Sequence, residues 1–108
     1  VFRTFAAEVI MLNECRFEGR LSASAEEHIF PSGDVAVMFR LIVPRPIAGP
    51  IDTINCRVDS ARLRRRALAL SPGSELTVAG SLHRRFWRSP TGPASRYEVV
   101  VTELRRCR

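Results

Sequence analysis

The sequence has no lysine. All 17 basic residues are arginine, set against 11 acidic residues, for a formal charge of +6 with histidine neutral. The cation throughout is therefore one that grips phosphate bidentately and stacks on rings, which lysine does not do. A GC-rich genome would give the same bias. A positive balance of this size favours a polyanionic partner or an acidic membrane surface. Cysteine is scarce: positions 15, 56 and 107 give an odd count with no Cys-x-x-Cys or Cys/His spacing. That argues against a zinc site and a full disulfide framework, and for reduced thiols in a cytoplasmic protein. No apolar run is long enough to span a bilayer, and of the two surfaces the charge would suit, a polyanion such as nucleic acid and not the membrane is the partner expected. Val1 to Leu12 includes Arg3 and Glu8 and lacks a continuous apolar centre, which makes it a poor signal peptide. The histidines are His28 and His83, and no serine, cysteine or carboxylate pattern sets a nucleophile beside a base. The glycines form no phosphate-cradling fingerprint. These absences point to a binding protein rather than an enzyme, with no cofactor and no metal.

What is present is concentrated. The only tryptophan lies in the run Leu82-His83-Arg84-Arg85-Phe86-Trp87-Arg88, followed by the turn-rich Ser89-Pro90-Thr91-Gly92-Pro93. Flat rings stack on unpaired bases and arginines neutralise phosphates, so this run points toward single-stranded nucleic acid. The competing reading is a hairpin tip whose Trp covers the core and whose arginines are solvated.

Strand patterns dominate the rest. Asn13 to Leu21 alternates, with Cys15, Phe17, Gly19 and Leu21 on one side and Glu14, Arg16, Glu18 and Arg20 on the other. Pro31-Ser32-Gly33-Asp34 is a turn, and Val35 to Val43 alternates after it. Prolines 44, 46 and 50 break the next stretch into a loop, and Ile51 to Val58 reads as a third strand. Asp59 or Ser60 caps a helix over about 61–70, with Leu63, Ala67 and Leu70 as its apolar stripe. Ser71-Pro72-Gly73-Ser74 stops it. Glu75 to Arg88 is a long fourth strand, residues 89–95 form a loop, and Arg96 to Leu104 is the fifth strand. Three strands, a helix and two strands is the order of an all-β, five-stranded OB barrel with its helix between strands three and four.

Several stretches resemble the bacterial single-stranded DNA-binding proteins, and together they run over residues 13–104. Asn13 to Leu21 is similar to that family's first strand. Phe30-Pro31-Ser32-Gly33 through Leu41 resembles its aromatic-Pro-Ser/Asn-Gly turn and second strand. Pro72-Gly73-Ser74 to Leu82 fits its Gly-Ser-x-x-x-x-x-Gly-x-Leu pattern. Arg85-Phe86-Trp87 and Arg96-Tyr97-Glu98 resemble its basic-basic-Trp triplet and Arg-Tyr strand start. The resemblance implies an N-terminal extension (1–12) followed by an OB-fold single-stranded DNA-binding domain (13–108). It implies non-sequence-specific binding of single-stranded DNA in replication, recombination or repair, in a bacterial cytoplasm at the nucleoid. The residues expected to bind are Trp87, Phe86, Arg84, Arg85, Arg88, Arg57, Arg40, Arg96 and Asn55, with Arg45 as a further phosphate contact.

There are departures. The family often has Trp-His-Arg-Val where this chain has Asn55-Cys56-Arg57-Val58, and a further aromatic near Asp59-Ser60-Ala61 is missing. Two lost stackers remove roughly 2–6 kcal/mol if additive, leaving weaker binding that leans on salt-sensitive arginine contacts. Family members end in a tail with an acidic tip that recruits partners, whereas the last residues of this sequence, Arg105-Arg106-Cys107-Arg108, are basic. Recruitment through such a tail is not expected unless the chain is a piece of a longer protein. The Glu14-Arg16-Glu18-Arg20 face suits a two-fold antiparallel pairing centred on Phe17, which sets Arg16 against Glu18 and Glu14 against Arg20. The resemblance implies homo-oligomers, dimer or tetramer, built partly through this strand; a charge-mixed edge that resists aggregation is the other reading. Arg64-Arg65-Arg66 reads as a solvated helix face rather than a nucleic-acid contact. Two further functional readings stand beside the main one: an OB interaction module for a protein partner, and binding of single-stranded RNA.

Overall fold

The structure, a computed structural model, describes residues 3–5, 8–47 and 49–107. In chain order its elements are β1 (Arg3–Phe5), β2 (Glu8–Ile10), β3 (Cys15–Leu21), β4 (Glu26–Ile29), β5 (Val35–Pro44), β6 (Ile51–Val58), α1 (Ala61–Leu68), β7 (Glu75–Ser89) and β8 (Gly92–Arg106). Strands β3, β7, β8, β6 and β5 form a ring, closed where Arg20 and Leu21 of β3 pair with Ile42 and Leu41 of β5. Only the β6–β8 contact is parallel, at Cys56↔Val99 and Arg57↔Val100; the other pairings among the described strands are antiparallel. This is the five-stranded OB barrel expected from the strand–helix order, with α1 between the third and fourth ring strands. β1 and β2 form a hairpin of their own, paired with no other strand among the described residues. They fall within the predicted extension, of which Val1, Phe2, Ala6 and Ala7 lie outside the described residues.

The alternation seen in the sequence builds the core. Leu21, Val37, Leu41, Val58, Leu76, Val78 and Val99 point inward and are fully buried. Each such side chain contributes about 1.5–3 kcal/mol relative to exposure. α1 adds Leu63 and Ala67, with Leu70 packed just past its end. Of the two candidate caps the chain uses Ser60, whose Oγ accepts from the Leu63 N–H at 3.3 Å. Two strand glycines let backbones approach closely. A Cβ on Gly19 would strike the Ile42 carbonyl oxygen, and one on Gly80 the Val100 carbonyl oxygen.

Two expectations need correction. Residues 89–95 are not a loop: β7 and β8 continue to a two-residue turn at Pro90-Thr91, with Ser89 paired to Gly92 and Trp87 to Ala94. Pro90, Gly92 and Pro93 look like breakers, yet the outer edge of β8 has no partner there among the described residues, because β8 meets β6 only around Val99 and Val100. Pro93's missing donor is tolerated on such an edge. The second correction is β4, a short strand absent from the sequence reading. It pairs with β5 across the Pro31–Asp34 turn, from Glu26↔Met38 to Ile29↔Val35. All four of its residues are exposed, so no alternation marks it.

Candidate nucleic-acid interface

The outward-facing residues of β5, β6, β8 and β7 lie side by side. Arg40 is registered opposite Asn55, Met38 opposite Arg57, His83 opposite Glu98, and Arg85 opposite Arg96. Trp87 is the next outward residue of β7 and remains 40% exposed, enough to offer part of its ring to solvent. The turn after β4 swings Phe30 onto the same face, held by Phe30 N–H donating to the Asp34 carbonyl (2.9 Å) and Gly33 N–H to the Phe30 carbonyl (2.8 Å).

Rings and guanidinium groups then alternate. Arg96 lies 5.8 Å from the Trp87 ring centroid and Arg85 5.0 Å from it; Arg85 is also 5.9 Å from the Phe30 centroid, and Arg57 is 4.6 Å from it. His28 meets Phe30 edge-on, with centroids 4.5 Å apart. Each cation–ring contact adds about 0.5–1 kcal/mol and restrains both partners.

A buried carboxylate holds this row. Glu98 is 3% exposed and lies 3.5 Å from Arg85 and 3.9 Å from Arg57. Arg57 is also paired with Asp59 at 2.8 Å. The Glu98–Arg85 contact lacks hydrogen-bond geometry, and Glu98 Oε1, Arg85 Nε and Arg96 Nε are buried without hydrogen-bond partners among the described residues. An unmade bond at such a group costs about 1–3 kcal/mol. Unsatisfied polar groups of this kind are uncommon and call for an explanation, a ligand-facing role among them. A groove of about 380 Å³ runs beside the row, lined by Ser22, Met38, Arg40, Asn55, Arg96 and Glu98. Beneath it, the Cys56 thiol is pushed up to about 12, first by burial and then by the nearby charges of Cys15 and Glu98. It is no nucleophile at neutral pH.

The structure therefore brings together Trp87, Arg85, Arg96, Arg57, Arg40 and Asn55 on one face. It separates Arg84, Phe86 and Arg88, which alternate onto the opposite face of the β7–β8 hairpin. Arg45 is taken up by Asp52, with contacts of 3.1 and 3.3 Å. Phe30 is the residue that sequence reasoning missed as a site member. Its signal was an aromatic next to a Pro-Ser-Gly turn, but only the β4–β5 hairpin carries it to Arg57 and Arg85. On the other side of the barrel, Glu14, Arg16, Glu18 and Arg20 are all exposed. Arg16 pairs within the chain to Glu103 at 3.2 Å, and Glu18 accepts from Thr77 at 3.5 Å. Among the described residues no His/Cys/Asp/Glu group could hold a metal ion, and no helix is long and apolar enough to cross a membrane.

No protein-family model matches the sequence, and no curated protein matches it by sequence. Solved structures do. The Plasmodium falciparum SSB, in complex with ssDNA, superposes with a TM-score of 0.78 over 92% of this chain and 97% of that one, at 21% identity. The fold is an OB fold of the SSB type. At that identity the likeness concerns the path of the backbone. The ring-and-arginine row rests on this chain's own side chains.

Proposed function

We propose that the protein binds single-stranded DNA without sequence preference, along the face formed by Phe30, Arg57, Arg85, Trp87 and Arg96. The observation that carries this is the row itself: two aromatic rings propped by guanidinium groups beside an open groove. Bases stack on Phe30 and Trp87. Arg40 and Arg96, which have no carboxylate partner among the described residues, meet phosphates. Arg57 and Arg85 contribute less net charge, because Asp59 and Glu98 already neutralise them. Stacking supplies about 1–3 kcal/mol per base and charge neutralisation the salt-dependent remainder. That the fold-mate P. falciparum SSB was solved with ssDNA supports this reading. So does the groove position, since OB folds bind oligonucleotides on this sheet face and its flanking loops. The role that goes with it is protection of exposed strands during replication, recombination or repair, in the cytoplasm at the nucleoid.

Fluorescence anisotropy of a dye-labelled oligo-dT tests the reading, with RNA of matching sequence and duplex DNA as the other arms. Tighter binding of dT than of duplex supports it, and equal or tighter RNA binding would reassign the ligand to RNA. No binding of any nucleic acid would leave a protein-binding OB module. We also propose a homo-oligomer built through β3, whose edge over residues 15–18 opposite β7 has no strand partner among the described residues. Reversing Glu14 and Glu18 to arginine should dissociate it; an unchanged mass in solution rejects the interface.

A further inference from the structure

The β7–β8 hairpin runs past the end of the barrel, and the residues in phase with the core emerge there onto an open face. In the barrel half of β7, Leu76 and Val78 are fully buried; in the projecting half Leu82 is 47% and Phe86 68% exposed. Tyr97, on β8 opposite Arg84, is 57% exposed and diagonal to both Leu82 and Phe86. The Arg84 guanidinium lies 4.9 Å from the Phe86 ring centroid and 5.5 Å from that of Tyr97, and Ser95 Oγ accepts from it at 3.0 and 3.2 Å. The hairpin residues of this phase are Leu82, Arg84, Phe86 and Arg88 on β7 and Pro93, Ser95 and Tyr97 on β8. They include two arginines and no carboxylate. The face has two half-exposed rings, a cation between them and uncompensated positive charge.

A second groove, of about 310 Å³, opens where the hairpin leaves the barrel and is lined by Thr53, Asn55, Leu82, Arg96, Tyr97 and Glu98. It shares Asn55, Arg96 and Glu98 with the groove on the outer face. The two grooves meet at the stretch of β8 before Val99, where that edge has no strand partner among the described residues. A flexible polyanion leaving the Phe30–Trp87 row is thus led over this edge, past Asn55 and Arg96, to Tyr97 and Phe86.

We infer that the reverse face of the hairpin is a second single-stranded nucleic-acid subsite, in which Phe86 and Tyr97 stack bases and Arg84 and Arg88 meet phosphates. The bound chain wraps the β8 edge instead of lying on one face. This rests on the single-strand reading of the outer face. It assigns to Phe86 and Arg84 a position separate from Trp87, although they adjoin it in sequence. It also gives Asn55 a role as the pivot of the path, at a position with no stacking ring.

The two subsites can be read independently, because the chain has one tryptophan, on the outer face, and one tyrosine, on the reverse face. In the Trp87→Phe variant, Tyr97 emission reports the reverse face alone. Oligo-dT of about 6 and about 16 nucleotides spans the site sizes of single OB folds. In the unsubstituted chain both lengths should quench Trp87. In Trp87→Phe only the longer oligomer should quench Tyr97. The Phe86→Ala/Tyr97→Ala double variant should bind the longer oligomer at least about tenfold more weakly, with the shorter one little changed. If the longer oligomer saturates by anisotropy and quenches Trp87, yet Tyr97 emission does not move and the double variant binds it with full affinity, the second subsite is wrong while the outer face stands. If neither ring responds and anisotropy shows no binding, the outer-face reading fails and the subsite falls with it.

Discussion

Two faces of one barrel carry arginines and carboxylates, and they do different things with them. On the β3 side, Arg16 and Glu103 meet at the surface, each more than half exposed, and Glu14, Glu18 and Arg20 stand in solvent beside them. No aromatic ring contact occurs there among the described residues. On the outer face of β5, β6, β8 and β7 a single carboxylate, Glu98, is buried beneath arginines whose outer surfaces lie against rings. The first arrangement is solvated charge, suited to keying one edge against another. The second is a fixed platform that offers ring surface and leaves Arg40 and Arg96 without a carboxylate partner among the described residues. Net charge alone does not tell these faces apart; the depth of the acid and the placement of the rings do.

The comparison breaks most visibly in stability. Glu98→Ala should cost about 3 kcal/mol in urea unfolding, the low end for stripping one partner from a buried pair, given contacts of 3.5 and 3.9 Å. Arg16→Ala, which opens the exposed pair, should cost about 0.5 kcal/mol or less. Equal losses would mean that the buried carboxylate does not organise the platform. Next comes affinity: Trp87→Ala should weaken single-strand binding by about 1–3 kcal/mol, whereas Glu18→Ala on the β3 side should leave it within about 0.5 kcal/mol. Salt sharpens the contrast further. Arg40→Ala and Arg96→Ala should each flatten the log K against log salt slope by roughly 0.7, and Arg16→Ala should not change it.

The smallest effect is thiol chemistry. Burial raises the Cys15 pKa, and Cys56, deeper under the outer face, is pushed up to about 12. An alkylating reagent at neutral pH should therefore modify exposed Cys107 first and Cys56 last. The linked stability loss runs with rising pH: between about 9 and about 12 the unfolded thiol of Cys56 ionises while the folded one stays protonated, which favours unfolding.

The barrel was legible because its signal is periodic. Val35, Val37, Phe39 and Leu41 alternate, and so do Leu76 and Val78; the observed Ile51–Val58 strand has the predicted limits. The same periodicity hid the site's division. Leu82 and Phe86 continue the core phase of β7 without a break, and nothing local announces that the barrel has ended beneath them. Neighbours in sequence therefore looked like one cluster, while alternation sends Trp87 and Phe86 to opposite faces. Glu98 carried no signal either, since its burial comes from Arg57 of β6 and Arg85 of β7 converging on it. β4 was missed for the opposite reason: it is held by backbone pairing to β5 and buries nothing, and Phe30's place in the site depends on it.

The most direct test of the outer-face account is a titration of Trp87 fluorescence with oligo-dT at two salt concentrations, with Trp87→Ala as the silent control. The account predicts saturable quenching at both. A threefold rise in salt should weaken binding about fivefold if Arg40 and Arg96 each neutralise one phosphate. Absence of quenching, or one affinity at both salts, would contradict it.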